Sequence, residues 1–428
     1  MARDGRMNRR LLGMLRSRLP EAGLDDIRDP RDDRGKRWSL ATLLRSVVIG
    51  LGAGCRSLLD LEQLTENLSA VARKQLGIAR RVPDTTLRAT LCRLNPAELR
   101  KAIHGTIRAA HRRKALEPDG LPFGVVAMDG KATALTGCDY DIAHRRTVDE
   151  KGQPLGILRT ITCSLVSSQA KVVIDTIAQG TRGEAAVFPW AFFELLRVYG
   201  KLNLFRLISY DAGGCSRENA DLVHQHGYYY FFALKSPQKV LYPAAQRLLG
   251  SLTAEHAVAV TEDLLGGKIR VVRRLYISEE LKGFHWSHLA TVVRVESETL
   301  DAHGRRVAYE NRYFASNLPL NKLSPAQWLR IVRLHWVVEN NCHGTLDTAF
   351  AEDDHPWIES NPQGALVVAL LRRLALNLLA LFRSVTQRAT ERRATPWKSL
   401  MRALALMLTT LSPADTAGLR ARLPAAPA

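Results

Sequence analysis

The chain has 428 residues, enough for two or three domains, and its 46% apolar and 24% charged content is that of an ordinary globular protein. Its formal charge of +19 is not ordinary and points to a polyanionic partner, most simply nucleic acid, whose phosphates release counterions when neutralised. Six scattered cysteines without a CxxC pair argue against a disulfide framework or a zinc ribbon and for reduced thiols in the cytoplasm.

The first 115 residues hold 25 Lys plus Arg against 12 Asp plus Glu. The opening MARDGRMNRRLLGMLRSRLP is basic but has no apolar stretch of signal-peptide length. WSLATLLRSVVIGLGAG and SLLDLEQLTENL then show helical spacing of apolar residues. In ARRVPDTTLRATLCRLNPAELRKAI, Asp84 is placed to cap one helix, and Asn95–Pro96 opens the next. Arg80, Arg81, Arg88 and Arg93 flank these short helices, where Arg81 and Arg88 are candidate contacts to a DNA backbone.

After Pro118–Gly120 the pattern changes to strands. FGVVAMDG (123–130) is a short apolar run ending in Asp129, and ILRTITCSLVSS with KVVIDTIAQ predicts a hairpin. The helix VFPWAFFELLRVYG (187–200) closes at Gly200. It is followed by the strand LFRLISYD ending in Asp211, the helix SRENADLVHQHG and the strand YYYFFALK ending in Lys235. This order predicts a mixed α/β sheet with antiparallel leading strands. Four strand-like segments from about 250 to 315 form a β-rich insertion. Ser324, Pro325 and Gln327 then make a capping box for the helix SPAQWLRIVRLHWVVEN. A basic helical stretch, Arg372 to Arg402, follows. Its apolar run ALVVALLRRLALNLLALF is broken by Arg372 and Arg373, which disfavours a membrane span.

Within RLHWVVENNCHGTLDTAFAEDD (333–354), His335, Glu339, His343 and Asp347 recur every four residues. On a regular helix each such step advances about 40°, so the first three share a face. A zinc site of the HExxH kind lacks its order of residues here. Asp129, at an expected strand end before Gly130, and Asp211, at another before Ala212-Gly213-Gly214, offer a different combination with Glu339. Three carboxylates from two strands and a helix suit Mg2+ or Mn2+. Two such ions about 3.5–4 Å apart clamp the attacking and leaving oxygens of a phosphoryl transfer.

The segments VVAMDGK, LISYDAGGCSRENADLV, YYYFFALKSPQ and RLHWVVENNCHGTLDTAFAEDD, together with the helical leader, resemble bacterial insertion-sequence DDE transposases of the H-repeat-associated type. The resemblance implies an RNase H-like mixed α/β sheet with a β-rich insertion, an all-α N-terminal domain before it and C-terminal helices after it. It divides the chain into a DNA-binding leader (1–117), a catalytic region (118–385) and a helical tail (386–428). It makes Asp129, Asp211 and Glu339 the metal-binding catalytic triad, served by two Mg2+ or Mn2+ ions. Lys131, Lys235, Arg333, His335, Asn340 and His343 become candidate DNA contacts, and Asp347 joins them as a residue that touches DNA or orients the triad. The implied partners are double-stranded DNA, as terminal inverted repeats and target, and a second copy of the chain, with no membrane and a nucleoid-associated cytoplasmic location. Gly344 and Leu346 depart from the family pattern, which often shows Trp and Lys there. A catalytically inactive, domesticated DNA-binding relative and an RNase H-like nuclease are the alternatives.

Overall fold

A computed structural model describes residues 5–33, 36–139, 141–281, 284–286, 288–387 and 389–417. The Ala/Pro-rich end of the tail, 418–428, lies outside the described residues. The leader folds as six α-helices: α1 (Gly5–Arg18), α2 (Leu40–Gly52), α3 (Leu58–Glu66), α4 (Ala70–Leu76), α5 (Asp84–Leu91) and α6 (Pro96–Arg112). Serine hydroxyls cap three of them: Ser39 on α2, Ser57 on α3 and Ser69 on α4. Asn95 caps α6 with Pro96 at its first position, as its sequence predicts. Asp84 is instead the first residue of α5, whose cap position is Pro83.

The α/β region runs β1 (Val125–Leu135), β2 (Ala143–Val148), β3 (Pro154–Leu165), β4 (Val173–Ala178), α7 (Glu184–Tyr199), β5 (Leu207–Tyr210), α8 (Arg217–Gln225) and β6 (Tyr229–Leu234). β3 is antiparallel to β1, and β4 and β2 pair with successive halves of the other edge of β3. β5 is parallel to β1, and β6 is parallel to β5. The predicted β3–β4 hairpin forms, whereas β2 carries no clear strand pattern in its sequence, AHRRTV. Gly200 stays right-handed, and the chain leaves α7 through a short helical turn to left-handed Asn203.

Helix α9 (Leu241–Leu249) leads to β7 (Ala259–Leu265), β8 (Ile269–Ser278), β9 (Thr291–Leu300) and β10 (Arg306–Ser316). These strands match the predicted β insertion, but they do not form a separate sheet. The end of β10 pairs with β6 (Ser316 with Phe231, Tyr313 with Leu234), so the ladder continues as β6-β10-β9-β8-β7. One ten-stranded mixed sheet results.

Alternation along β6 fixes what covers each face. Phe232 meets Phe188 of α7 edge-on, while Phe231 stacks on Phe314 and approaches Trp328 of α10 (Pro325–His335). The Ser324–Gln327 capping box forms. The helix predicted to continue through Glu339 does not stay regular. After His335 it passes into a π-helical segment, Val338–His343, and then α11 (Gly344–Thr348). The wider π turn breaks the four-residue register on which the row of ligand-type residues depended.

Helix α12 (Pro362–Leu381) is buried along almost all its length, and packs against α2 and α6 on one side and β4 on another. It is long and apolar enough to cross a bilayer, yet its most apolar stretch lies wholly inside the fold. α13 (Thr390–Arg393) is short, and α14 (Trp397–Thr410) returns to pack on α1 and α2. Helices α1 and α14 therefore share one helical layer with α2. Asn377 of α12 ties that layer to the sheet: its amide accepts from Val173 N–H at 2.8 Å and donates to Val173 C=O at 2.7 Å, all buried. Asn377→Leu leaves both backbone groups without partners, and is expected to cost about 2–4 kcal/mol in urea unfolding. An unchanged midpoint would contradict this role.

Candidate active site

Register places the first two acids. Met128 of β1 pairs with Tyr210 of parallel β5, so the next residues, Asp129 and Asp211, lie level on neighbouring strands. Both line a cleft of about 640 Å³ together with Lys131, Lys235, Arg312, His335, Glu339, His343 and Asp347. Asp129, Asp211 and Glu339 thus reach one cleft from β1, the end of β5 and the π-helical segment, with Glu339 exposed.

The strand expected to end at Asp129 runs on to Leu135, so Asp129 lies within β1 and only Asp211 follows a strand end. Glu184, the first residue of α7, stands beside these two acids. A β-carbon on Gly130 would lie 2.2 Å from its carboxylate, and one on Gly213 would lie 2.8 Å from it. The glycines after Asp129 and Asp211 therefore make the room that Glu184 occupies. Burial, then the charges of Asp211 and Asp129, push the Glu184 carboxyl above its usual range, against a 3.4 Å hydrogen bond from the Tyr210 hydroxyl. Asp211 is also raised, by burial and by Asp129, although Gly213 N–H donates to it at 2.8 Å and Lys235 opposes the shift. The sequence pattern starts the helix only at 187 and leaves Glu184 in a loop. The signal was Gly183 before an acid, the arrangement of a helix start.

The four-residue row separates into four different environments. His335 is buried, its Nδ1 is 2.8 Å from the Ser209 hydroxyl, and burial lowers its pKa to about 4, so the ring is neutral. His343 Nδ1 lies 3.2 Å from an Asp129 carboxylate oxygen, which it orients, and its Nε2 is buried without a partner. Asp347 takes the ammonium of Lys131 at 2.6 Å, and Asp353 takes it at 3.0 Å. Lys131 is thus committed to carboxylates. Lys235 and Asn340 are exposed, and Lys235 faces the cleft. Arg333 pairs with Asp263 at 3.0 Å and lines a different cleft. In the leader, Arg81 pairs with Glu62 at 2.8 Å, and Arg88 is exposed on α5.

Oxygen donors crowded by like charge are the chemistry that a hard divalent cation satisfies. The donors are not drawn together: among the described residues no three His, Cys, Asp or Glu side chains stand at ion-holding distance. Donor type and charge fit such an ion, with Asp129, Asp211, Glu184 and Glu339 as the available carboxylates.

Residues 22–105 match the DDE_Tnp_1-associated family model, which covers most of the helical leader. The chain is 25% identical over 351 residues to "Putative protein YbfL" of Escherichia coli (strain K12), covering 79% of this chain and 84% of that protein. It is 24% identical, with the same coverage, to "H repeat-associated putative transposase YhhI" of the same organism. The leader thus matches a DDE_Tnp_1-associated model, and most of the chain is similar to an H repeat-associated putative transposase.

Proposed function

We propose that the protein is a DNA transposase that cuts the ends of an insertion sequence and joins the freed 3′-OH ends to target DNA. The observation that carries this is the level placement of Asp129 and Asp211 on parallel strands, in a cleft shared with Glu339. The strand order β4-β3-β1-β5-β6, three antiparallel strands and then two parallel ones, supports an RNase H-like catalytic core spanning roughly 118–385. The net charge of +19 supports DNA as substrate.

In this reading the carboxylates of Asp129, Asp211 and Glu339, with Glu184 beside them, hold two Mg2+ or Mn2+ ions. Such ions supply an activated water or 3′-OH and neutralise charge on the scissile phosphate. The chain's own groups do the positioning. His343 Nδ1, 3.2 Å from an Asp129 oxygen, is placed to steady that carboxylate. Burial keeps His335 neutral, with its Nδ1 2.8 Å from the Ser209 hydroxyl, so this ring adds no charge that would compete for the acids. Lys235 and Arg312 line the cleft as cations able to meet DNA phosphates. The active complex is a dimer on paired ends, in the cytoplasm.

The test incubates purified protein with duplex DNA carrying the element's inverted repeats in Mg2+. Nicked ends and joined products are expected, and intact DNA would overturn the reading. Hydrolysed ends without joining would favour a nuclease, and binding without cleavage a domesticated relative. Glu184→Gln is expected to weaken Mn2+ binding, read by calorimetry, by about 10-fold. Unchanged affinity would remove Glu184 from the set.

A further inference from the structure

Helix α10 serves two clefts. His335 at its end faces the carboxylates, whereas Arg330 and Arg333 line a second cleft of about 550 Å³ with Asp119, Lys171 and the Ser167–Gln169 turn between β3 and β4. Lys171 sits in that turn with left-handed backbone (φ 50°) and a half-buried side chain. Burial, then Arg330, Arg383 and Arg333, lower its pKa, with only Asp119 opposing. The acids present are already engaged: Asp119 with Arg330 at 2.6 Å, and Asp263 with Arg333 at 3.0 Å.

Two guanidinium donors nearby lack acceptors. Arg330 Nε and Arg383 Nε are both buried without a hydrogen-bond partner. The Arg330 guanidinium lies over Gly120, where a β-carbon would come within 3.1 Å of it, and Arg383 is stacked 3.6 Å from the Trp397 ring. Arg393 reaches the rim through Gln169 at 3.3 Å. A crowded ammonium and unpaired buried N–H groups are costly unless an anion meets them. The matching anion has several acceptor oxygens and full charge, which describes a phosphate.

We propose that this cleft binds one phosphodiester group of duplex DNA, held by Lys171 and Arg330, with Arg383 adding positive charge near Lys171 from outside the lining. The proposal rests on the reading that the protein acts on DNA, and adds a backbone contact outside the carboxylate cleft. Arg330 and His335 lie five residues apart on α10, about 7.5 Å along its axis at helical rise, so one helix carries residues of both clefts.

The test measures binding of fluorescent inverted-repeat duplex by anisotropy in EDTA, over a KCl series, with the full chain. Lys171→Gln and Arg330→Gln, separately and together, are expected to weaken binding, the pair by about 10-fold. They should also shrink the slope of log affinity against log salt by about 0.9, the release expected for one phosphate. Lys171→Arg keeps the charge and should keep the wild-type slope, which separates lost contact from lost folding. Unchanged affinity and slope in the double variant would overturn the cleft assignment alone. A wild-type chain that binds no DNA would overturn the functional reading beneath it. Stabilisation by inorganic phosphate with an unaltered DNA slope would make this a free-phosphate site and also overturn the assignment.

Discussion

Asp129→Asn is expected to reduce DNA end cleavage in Mg2+ by on the order of 10²–10³-fold, the cost of removing one charge-stabilising group from a preorganised site. The substitution keeps an oxygen for the His343 Nδ1 contact, now 3.2 Å from the carboxylate, so folding should be unaffected. What is lost is negative charge at the point where β1 and β5 bring two acids level. Asp211→Asn should behave alike. Gel analysis of nicked end DNA measures both, and a near wild-type rate in either would remove that residue from the catalytic set.

The second large effect concerns stability. Arg373 and Glu352 form an ion pair with side-chain exposures of 1% and 2%, so neither charge can turn to water. Arg372 is buried beside them and donates to the His355 carbonyl, and burial holds its pKa down at about 10. Glu352→Gln therefore strands two guanidiniums, and Arg373→Met strands a carboxylate. Each is expected to cost about 3–5 kcal/mol, because an unpaired buried charge loses its attraction but keeps its desolvation penalty. Denaturant titration reads the loss. The double variant Arg373→Met with Glu352→Leu should recover only part of it, because Arg372 stays buried without the Glu352 charge; full recovery would mean that Arg372 does not depend on Glu352. Lys131 adds to the field that holds Glu352 ionised, so damage here should also reach the candidate active site.

Asp129 and Asp211 were legible because their signal is local. An apolar run reaching an Asp with glycine close behind marks both positions, but only Asp211 lies at a strand end: β1 continues through Gly130 to Leu135, so Asp129 sits inside its strand, where pairing with β3 keeps the backbone extended. The insertion strands were legible by alternation, although nothing local says that β10 pairs with β6 and prolongs the main sheet. The row His335, Glu339, His343 and Asp347 misled because it assumed an unbroken helix. A π-helical segment between α10 and α11 sets His335 against Ser209, His343 against Asp129 and Asp347 against Lys131, with Glu339 exposed to the cleft, and no propensity in VENNCH announces it. Glu184 was missed for a similar reason: its meaning depends on a helix starting three residues earlier than the apolar pattern shows. Lys171 and Arg330 lie in distant segments, so their shared cleft exists only in the fold. The same holds for α12, whose apolar length suits a bilayer but whose place is the junction of leader, sheet and tail.

The central claim is that the cleft containing Asp129, Asp211 and Glu339 performs metal-dependent chemistry on DNA. Its most direct measurement is cleavage and joining of inverted-repeat DNA by purified Glu339→Gln protein in Mg2+, beside wild type, with DNA binding measured on the same samples. The account predicts that the variant binds the ends as wild type does and yields neither nicked nor joined product. Cleavage at the wild-type rate would contradict it.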